Sequence, residues 1–135
     1  MIYKVVEVLD GYVSLGNRVL GEATVKYRLG EIARPTLPES RLFAFWGMRQ
    51  ALHHLNATQL KYLDREFACL ECRGEQITSI PYGHKIPCPQ KGTTVWSEGI
   101  LPVSDGAREE SWWIYVPKGT VLVDWLKPLR VVDGG

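Results

Sequence analysis

The residues best able to do chemistry crowd into one stretch of this chain. All three cysteines fall in Cys69-Leu70-Glu71-Cys72 and, eleven residues on, His84-Lys85-Ile86-Pro87-Cys88. Zinc prefers four soft or borderline ligands in a tetrahedron, and a Cys-x2-Cys pair with a later His-x3-Cys pair could supply them. The surroundings argue the other way. Cys69 and Cys72 sit in a run with strand character, where positions three apart point to opposite faces. Pro81, Gly83 and Pro87 surround His84, so no helix carries it toward the cysteines. The expectation is therefore small buried thiols, a loop histidine and no cofactor. Zinc on Cys69, Cys72, His84 and Cys88 is the alternative. An odd cysteine count without a secretory signal argues against structural disulfides.

His53 and His54 are neighbours on an expected helix, so their side chains diverge by about 100° and cannot chelate one ion. They are read as a solvated face able to act as a contact surface. The chain has five tryptophans. Trp112 and Trp113 are adjacent in a strand-like run and must face opposite sides, which leaves one of them available as an anchor for a partner. With the loop that holds Tyr82, His84 and Lys85, these residues form the candidate binding set: Trp112, Trp113, His53, His54, Tyr82, His84 and Lys85. No acid–base pair stands out among the scattered carboxylates. No nucleophile elbow, phosphate-binding loop, dinucleotide fingerprint or HExxH sequence is present, so no catalytic residue is assigned.

The elements that must position these residues follow from pattern. Ile2 to Leu9 is rich in β-branched residues. Asp10-Gly11 then signals a two-residue hairpin into Tyr12–Leu15. Thr24 to Leu29 alternates, with Val25, Tyr27 and Leu29 on one side and Lys26 and Arg28 on the other. Residues 30–40 read as an ordered loop and Arg41–Phe45 as a buried strand. Met48, Ala51, Leu52 and Leu55 carry the spacing of one helical face, which predicts a helix over about 46–56. Asn56 is its expected stop, and Thr58 begins a further turn bearing Leu60 and Leu63. A strand from Glu66 to Arg73 is expected to end at Gly74. The chain is then turn-rich to Gly92, regains strand character at Thr93–Trp96, and loops again at Ser104–Glu110. Strands at Ser111–Val116 and Gly119–Val132 follow, interrupted at Pro117-Lys118-Gly119 and at Pro128. The sum is an α+β fold, a single compact domain spanning 1–135 with an antiparallel or mixed sheet and one main helix.

Length and composition agree with this. The 135 residues are 45% hydrophobic and 23% charged, ordinary for a globular chain that folds on its own core. A formal charge of +1 gives no strong signal for nucleic acid. No run approaches the ~20 apolar residues of a membrane span, so no membrane association is expected. Charges within residues 1–20 leave no room for a signal peptide, which makes a cytoplasmic protein the default.

The order of segments resembles a loose group of small, mostly uncharacterised α+β proteins of phages and prokaryotes. The resemblance rests on Tyr3-Lys4-Val5-Val6, on Tyr27-Arg28-Leu29-Gly30-Glu31, and on Leu42-Phe43-Ala44-Phe45 with Ala51 behind it. Gly119-Thr120-Val121-Leu122 and Lys127-Pro128-Leu129-Arg130-Val131-Val132 complete it. It implies a compact unit from a phage or mobile element, located in the host cytoplasm. More distantly the chain is similar to small ADP-ribosyltransferases. There too a strand like Leu42–Phe45 leads into an alanine-bearing helix, followed by strands like Phe67–Arg73 and Leu129–Val132. The His-Gly-Thr of that family is missing, and Ile2-Tyr3-Lys4-Val5 stands in its place. The likeness therefore implies a degenerate relative that holds a nucleotide or a protein. The expected function is a non-enzymatic binding protein that modulates a host protein complex or a nucleotide signal. A nucleotide-binding transferase and a zinc-stabilised interaction module are the alternatives.

Overall fold

The computed structural model describes residues 1–15, 24–36, 41–79, 85–87, 113–115 and 118–134. In chain order these form β1 (Ile2–Val8), β2 (Tyr12–Val13), β3 (Lys26–Tyr27), β4 (Leu42–Phe45), α1 (Met48–Lys61), β5 (Phe67–Glu75), β6 (Thr78–Ser79), β7 (Lys85–Pro87), β8 (Trp113–Tyr115), β9 (Thr120–Val123) and β10 (Trp125–Gly134). Every pairing among the described strands is antiparallel, and α1 is their one described helix, so the α+β class holds.

β1 lies at the centre. One edge pairs with β5, from Ile2 opposite Cys72 to Glu7 opposite Phe67. The other edge is shared: β4 takes it at Tyr3 opposite Phe45, and β2 takes it at Glu7 and Val8. β4 pairs onward with β9, and β5 pairs onward with β10. Only Asp124 separates β9 from β10, so the circuit β1–β5–β10–β9–β4 returns to β1 and the sheet closes on itself. Inside this closed sheet lie Ile2 and Val6, Leu42 and Ala44, Leu70 and Cys72, Val121 and Val123, with Val25 and Tyr27 plugging it from β3 and the residue before it.

The pairs β5–β10, β6–β9 and, in a separate two-stranded sheet, β7–β8 share one register and are together called the ribbon. Glu75 faces Trp125, Thr78 faces Leu122 and Lys85 faces Tyr115: ten residues forward on one arm match ten back on the other. The ribbon bends at Gln76, whose backbone is left-handed (φ 57°), and Asp124 N–H still reaches the Glu75 carbonyl at 3.0 Å. Arg41 fastens this bend. Its Nε donates to Asp124 at 3.0 Å and its Nη1 to the Thr78 hydroxyl at 2.9 Å, while Nη2 donates to the carbonyls of Gln76 and Leu122.

α1 packs on the outer side of the sheet. Ala51 and Leu55 are buried against Val5, Phe45, Phe67 and Cys69, and Leu52 adds a partly buried contact. Their spacing is the one the sequence predicts. Met48, at the start of that series, is instead 43% exposed. The helix also runs through Asn56 to Lys61. An exposed Asn costs only about 0.7 kcal/mol relative to Ala, and Ala57, Gln59, Leu60 and Lys61 favour the helix beyond it. Gln59 Nε2 fixes the exit by donating to the Arg65 carbonyl at 2.8 Å. Leu63 lies outside the helix.

Three further differences have local causes. The first hairpin loop has three residues, Leu9 to Gly11, with Asp10 (φ 46°) and Gly11 (φ 112°) both in left-handed backbone. Gly74 does not end β5; it allows a close approach, since a Cβ there would sit 2.7 Å from Ile2 Cδ1 and 2.9 Å from the Trp125 carbonyl. Pro128 does not break β10. Leu126 exchanges hydrogen bonds with Ala33 across the outer edge, and the Pro128 carbonyl accepts from Gly30 N–H at 2.7 Å. The amide hydrogen that proline lacks thus falls on the side away from β5, where no ladder bond is lost. No described helix is long and apolar enough to cross a membrane. The strand expected at 93–96 and the loop expected at 104–110 lie outside the described residues.

Candidate functional site

The described residues around α1 hold the best-defined part of the candidate set. Phe45 ends β4 and the chain turns at Trp46 and Gly47 into the helix. Gln50, in the first turn, folds back over Gly47: its Oε1 occupies the space a Cβ on Gly47 would need. His53 and His54 then diverge, as adjacent helical residues must. His53 is exposed, whereas His54 is half-buried with its ring 5.2 Å from that of Phe45. Burial pushes the His54 pKa below 6.5, and the charges of Lys4 and His53 push the same way, so the imidazole is neutral at pH 7.

Two other members of the set fall on the ribbon. Lys85 is in β7 opposite Tyr115, and Trp113 is in β8 opposite Pro87. Trp112, Tyr82, His84 and Cys88 lie outside the described residues. The structure does not bring Cys69 and Cys72 together. Cys69 packs among Val5, Phe67 and Leu55 beneath α1, whereas Cys72 packs with Ile2, Val6 and Leu70 inside the closed sheet. Burial pushes both thiols up to about 12, so each is protonated at neutral pH. Among the described residues no group of three or more His, Cys, Asp or Glu side chains is placed to hold a metal ion.

Sequence reasoning missed three charges that the fold engages, two of them buried, Glu7 and Lys4, and one partly exposed, Arg41. Glu7 is fully buried and takes two bonds from Arg65, Nη2 to Oε1 at 2.5 Å and Nε to Oε2 at 3.0 Å. Arg65 stacks on the rings of Tyr62 and Phe67, 4.6 Å and 5.3 Å from their centroids. The bond to Glu7 raises the Arg65 pKa further, and the pair ties the segment after α1 to the end of β1. Lys4 enters the closed sheet: its Nζ donates to the Phe43 carbonyl at 2.7 Å and lies 5.8 Å from the Tyr27 ring centroid. Arg41, described above, is the third. The available signal is phase. Lys4 alternates in step with Ile2 and Val6, and Glu7 in step with Val5, so both belong to faces the pattern marks as buried.

Large apolar side chains stand in solvent at both ends of α1. Trp46 and Met48 are exposed by 61% and 43% at its start, and Leu60 and Leu63 by 76% and 82% around its end. Arg49, His53, Asn56 and Ala57 lie exposed between them. A helix of this length spans about 20 Å. Such a surface is suited to laying two apolar anchors, one helix-length apart, against a partner. Comparison of the chain with known protein families, curated proteins and solved structures finds no match.

Proposed function

We propose that this protein works by binding another protein through the outer surface of α1, with Trp46 as the main anchor. The observation that carries the reading is the exposure of Trp46 and Leu63, 61% and 82%, at opposite ends of one helix. Isolated exposed leucines are ordinary, but tryptophan is the residue most enriched where binding energy concentrates. The groups packed beneath the helix have structural occupations that support the same reading: Glu7 is engaged by Arg65, and the Cys69 thiol stays protonated. Following the resemblance to phage and prokaryotic proteins, the target is a host protein complex.

Affinity capture from host lysate, with native mass spectrometry of the purified protein, tests this. Wild type should retain a protein at fixed stoichiometry. Trp46→Ala should weaken that capture by about thirtyfold, the loss of an interface anchor worth ~2 kcal/mol. Retained NAD would favour the transferase-like reading, and a stoichiometric zinc ion the interaction-module reading. Neither a protein nor a small molecule retained would overturn all three.

A further inference from the structure

We infer that the partner presents an acidic peptide segment with apolar anchors to the Trp46 end of α1. This deepens the binding reading and rests on it. α1 carries Arg49, His53, His54 and Lys61 and not one Asp or Glu from Met48 to Lys61. Its two ends then differ. At the start, Trp46 and Met48 stand exposed beside Arg49 and His53. Lys118 joins them, because Trp46 N–H donates to the Gly119 carbonyl at 2.9 Å and Gly119 packs on Gln50. The positive end of the helix dipole adds to these charges, with no acidic side chain in the first turn to offset it. At the far end Lys61 is followed by Asp64 and Glu66, and Arg65 is bound to Glu7. The exposed ring at that end, Tyr62, already carries Lys61 and Arg65 over it, 5.4 Å and 4.6 Å from its centroid, with Asp64 and Glu66 alongside, whereas Trp46 stands beside cations that no acidic side chain of the first turn offsets.

The chemistry selects a peptide over a nucleic acid. Affinity for nucleic acid grows with the number of phosphates neutralised. This patch offers Arg49 and Lys118 as formal cations in an apolar frame, on a chain of net charge +1. One or two carboxylates beside a Phe or Leu side chain would satisfy it. The charges speed and orient the encounter, and the Trp46–Met48 surface supplies the hold.

Selection from a random peptide library, with a single-stranded oligonucleotide as competitor, provides the test. Wild type should enrich sequences combining Asp or Glu with Phe, Leu or Trp, and the oligonucleotide should not displace them. Affinity for an enriched peptide should fall about tenfold or more in Trp46→Ala and in Arg49→Glu with Lys118→Glu. The milder Arg49→Gln should give a smaller fall and a weaker salt dependence. Enrichment of basic or uncharged sequences, no enrichment, or displacement by the oligonucleotide would overturn the inference. If the charge-reversed protein still captures the lysate partner that Trp46→Ala loses, the acidic-peptide inference fails and the binding reading stands. If Trp46→Ala loses nothing, both fail.

Discussion

Glu7 and Glu71 point to the same face of the same sheet, and each receives two bonds from an arginine. Glu7 lies under the segment that leaves α1, fully buried, with Arg65 12% exposed and stacked on two rings. Glu71 lies at the rim beside β10. Its partner Arg130 is 63% exposed and holds it at 3.1 Å and 3.4 Å. The chemistry is the same and the setting differs. A pair closed off from water is costly to break, because the survivor is left buried and charged, whereas a pair at the surface hands both members back to solvent. The helix side of this sheet is therefore held at one corner by a commitment and at the other by a contact.

The largest expected effect follows directly. Arg65→Ala strands Glu7 and should destabilise the protein by about 3–5 kcal/mol in a denaturant titration. A loss under ~1 kcal/mol would mean that water reaches Glu7 and the contrast is false. Replacing both members by methionine should recover most of the loss, since it removes the charge rather than orphaning it.

The covered side should also shield its thiol. Cys69 and Cys72, both protonated at neutral pH, should react with a thiol reagent only as fast as the protein opens. Peptide mapping after brief labelling should leave them unmodified in wild type and label them sooner in Arg65→Ala. Rapid modification of Cys69 in the native protein would contradict its burial beneath α1.

His54 gives a smaller, pH-dependent signature of the same layer. An unfolded histidine titrates near 6.5 and the folded one lower. Above pH 6.5 neither state holds the proton. As pH falls below 6.5 the unfolded chain takes it up first, so stability declines until the folded pKa is passed and then levels. This contribution is at most ~1.4 kcal/mol per pH unit, and His54→Gln should remove it from the pH–stability curve. A curve unchanged by the substitution would show that His54 is as wet in the native state as in the unfolded one.

Least of all should Arg130→Ala matter. A loss of ~0–1 kcal/mol, shrinking further in salt, is expected. If it matched Arg65→Ala, burial would not be what separates the two corners.

Much of this frame is legible in the sequence, for reasons that also mark where legibility stops. The β-branched run Ile2–Leu9, alternation across Thr24–Leu29, and helical spacing at Ala51, Leu52 and Leu55 identify β1, the approach to β3, and α1, because side-chain type and spacing follow the backbone that carries them. The opposite faces of Cys69 and Cys72 follow from the same rule. Closure of the sheet does not. It depends on β9 and β10 being successive parts of one arm that serves two distant partners, and no local pattern encodes which strand a given edge will meet. The Arg65–Glu7 pair is hidden for a similar reason: the partners are 58 residues apart. Phase marks Glu7 as buried, yet nothing nearby in the chain names the residue that neutralises it. Trp46 was visible as a tryptophan but not as an exposed one, because it sits in the turn between a buried strand and a helix, where periodicity says nothing.

The one register shared by Glu75–Trp125, Thr78–Leu122 and Lys85–Tyr115 acts as a ruler. Removing one residue between Ser79 and Lys85 would put the β7–β8 rungs one step out of register with Thr78–Leu122, unless the facing segment lost one too. A change of length between these described rungs is thus constrained, because one side cannot gain or lose a residue without the other following.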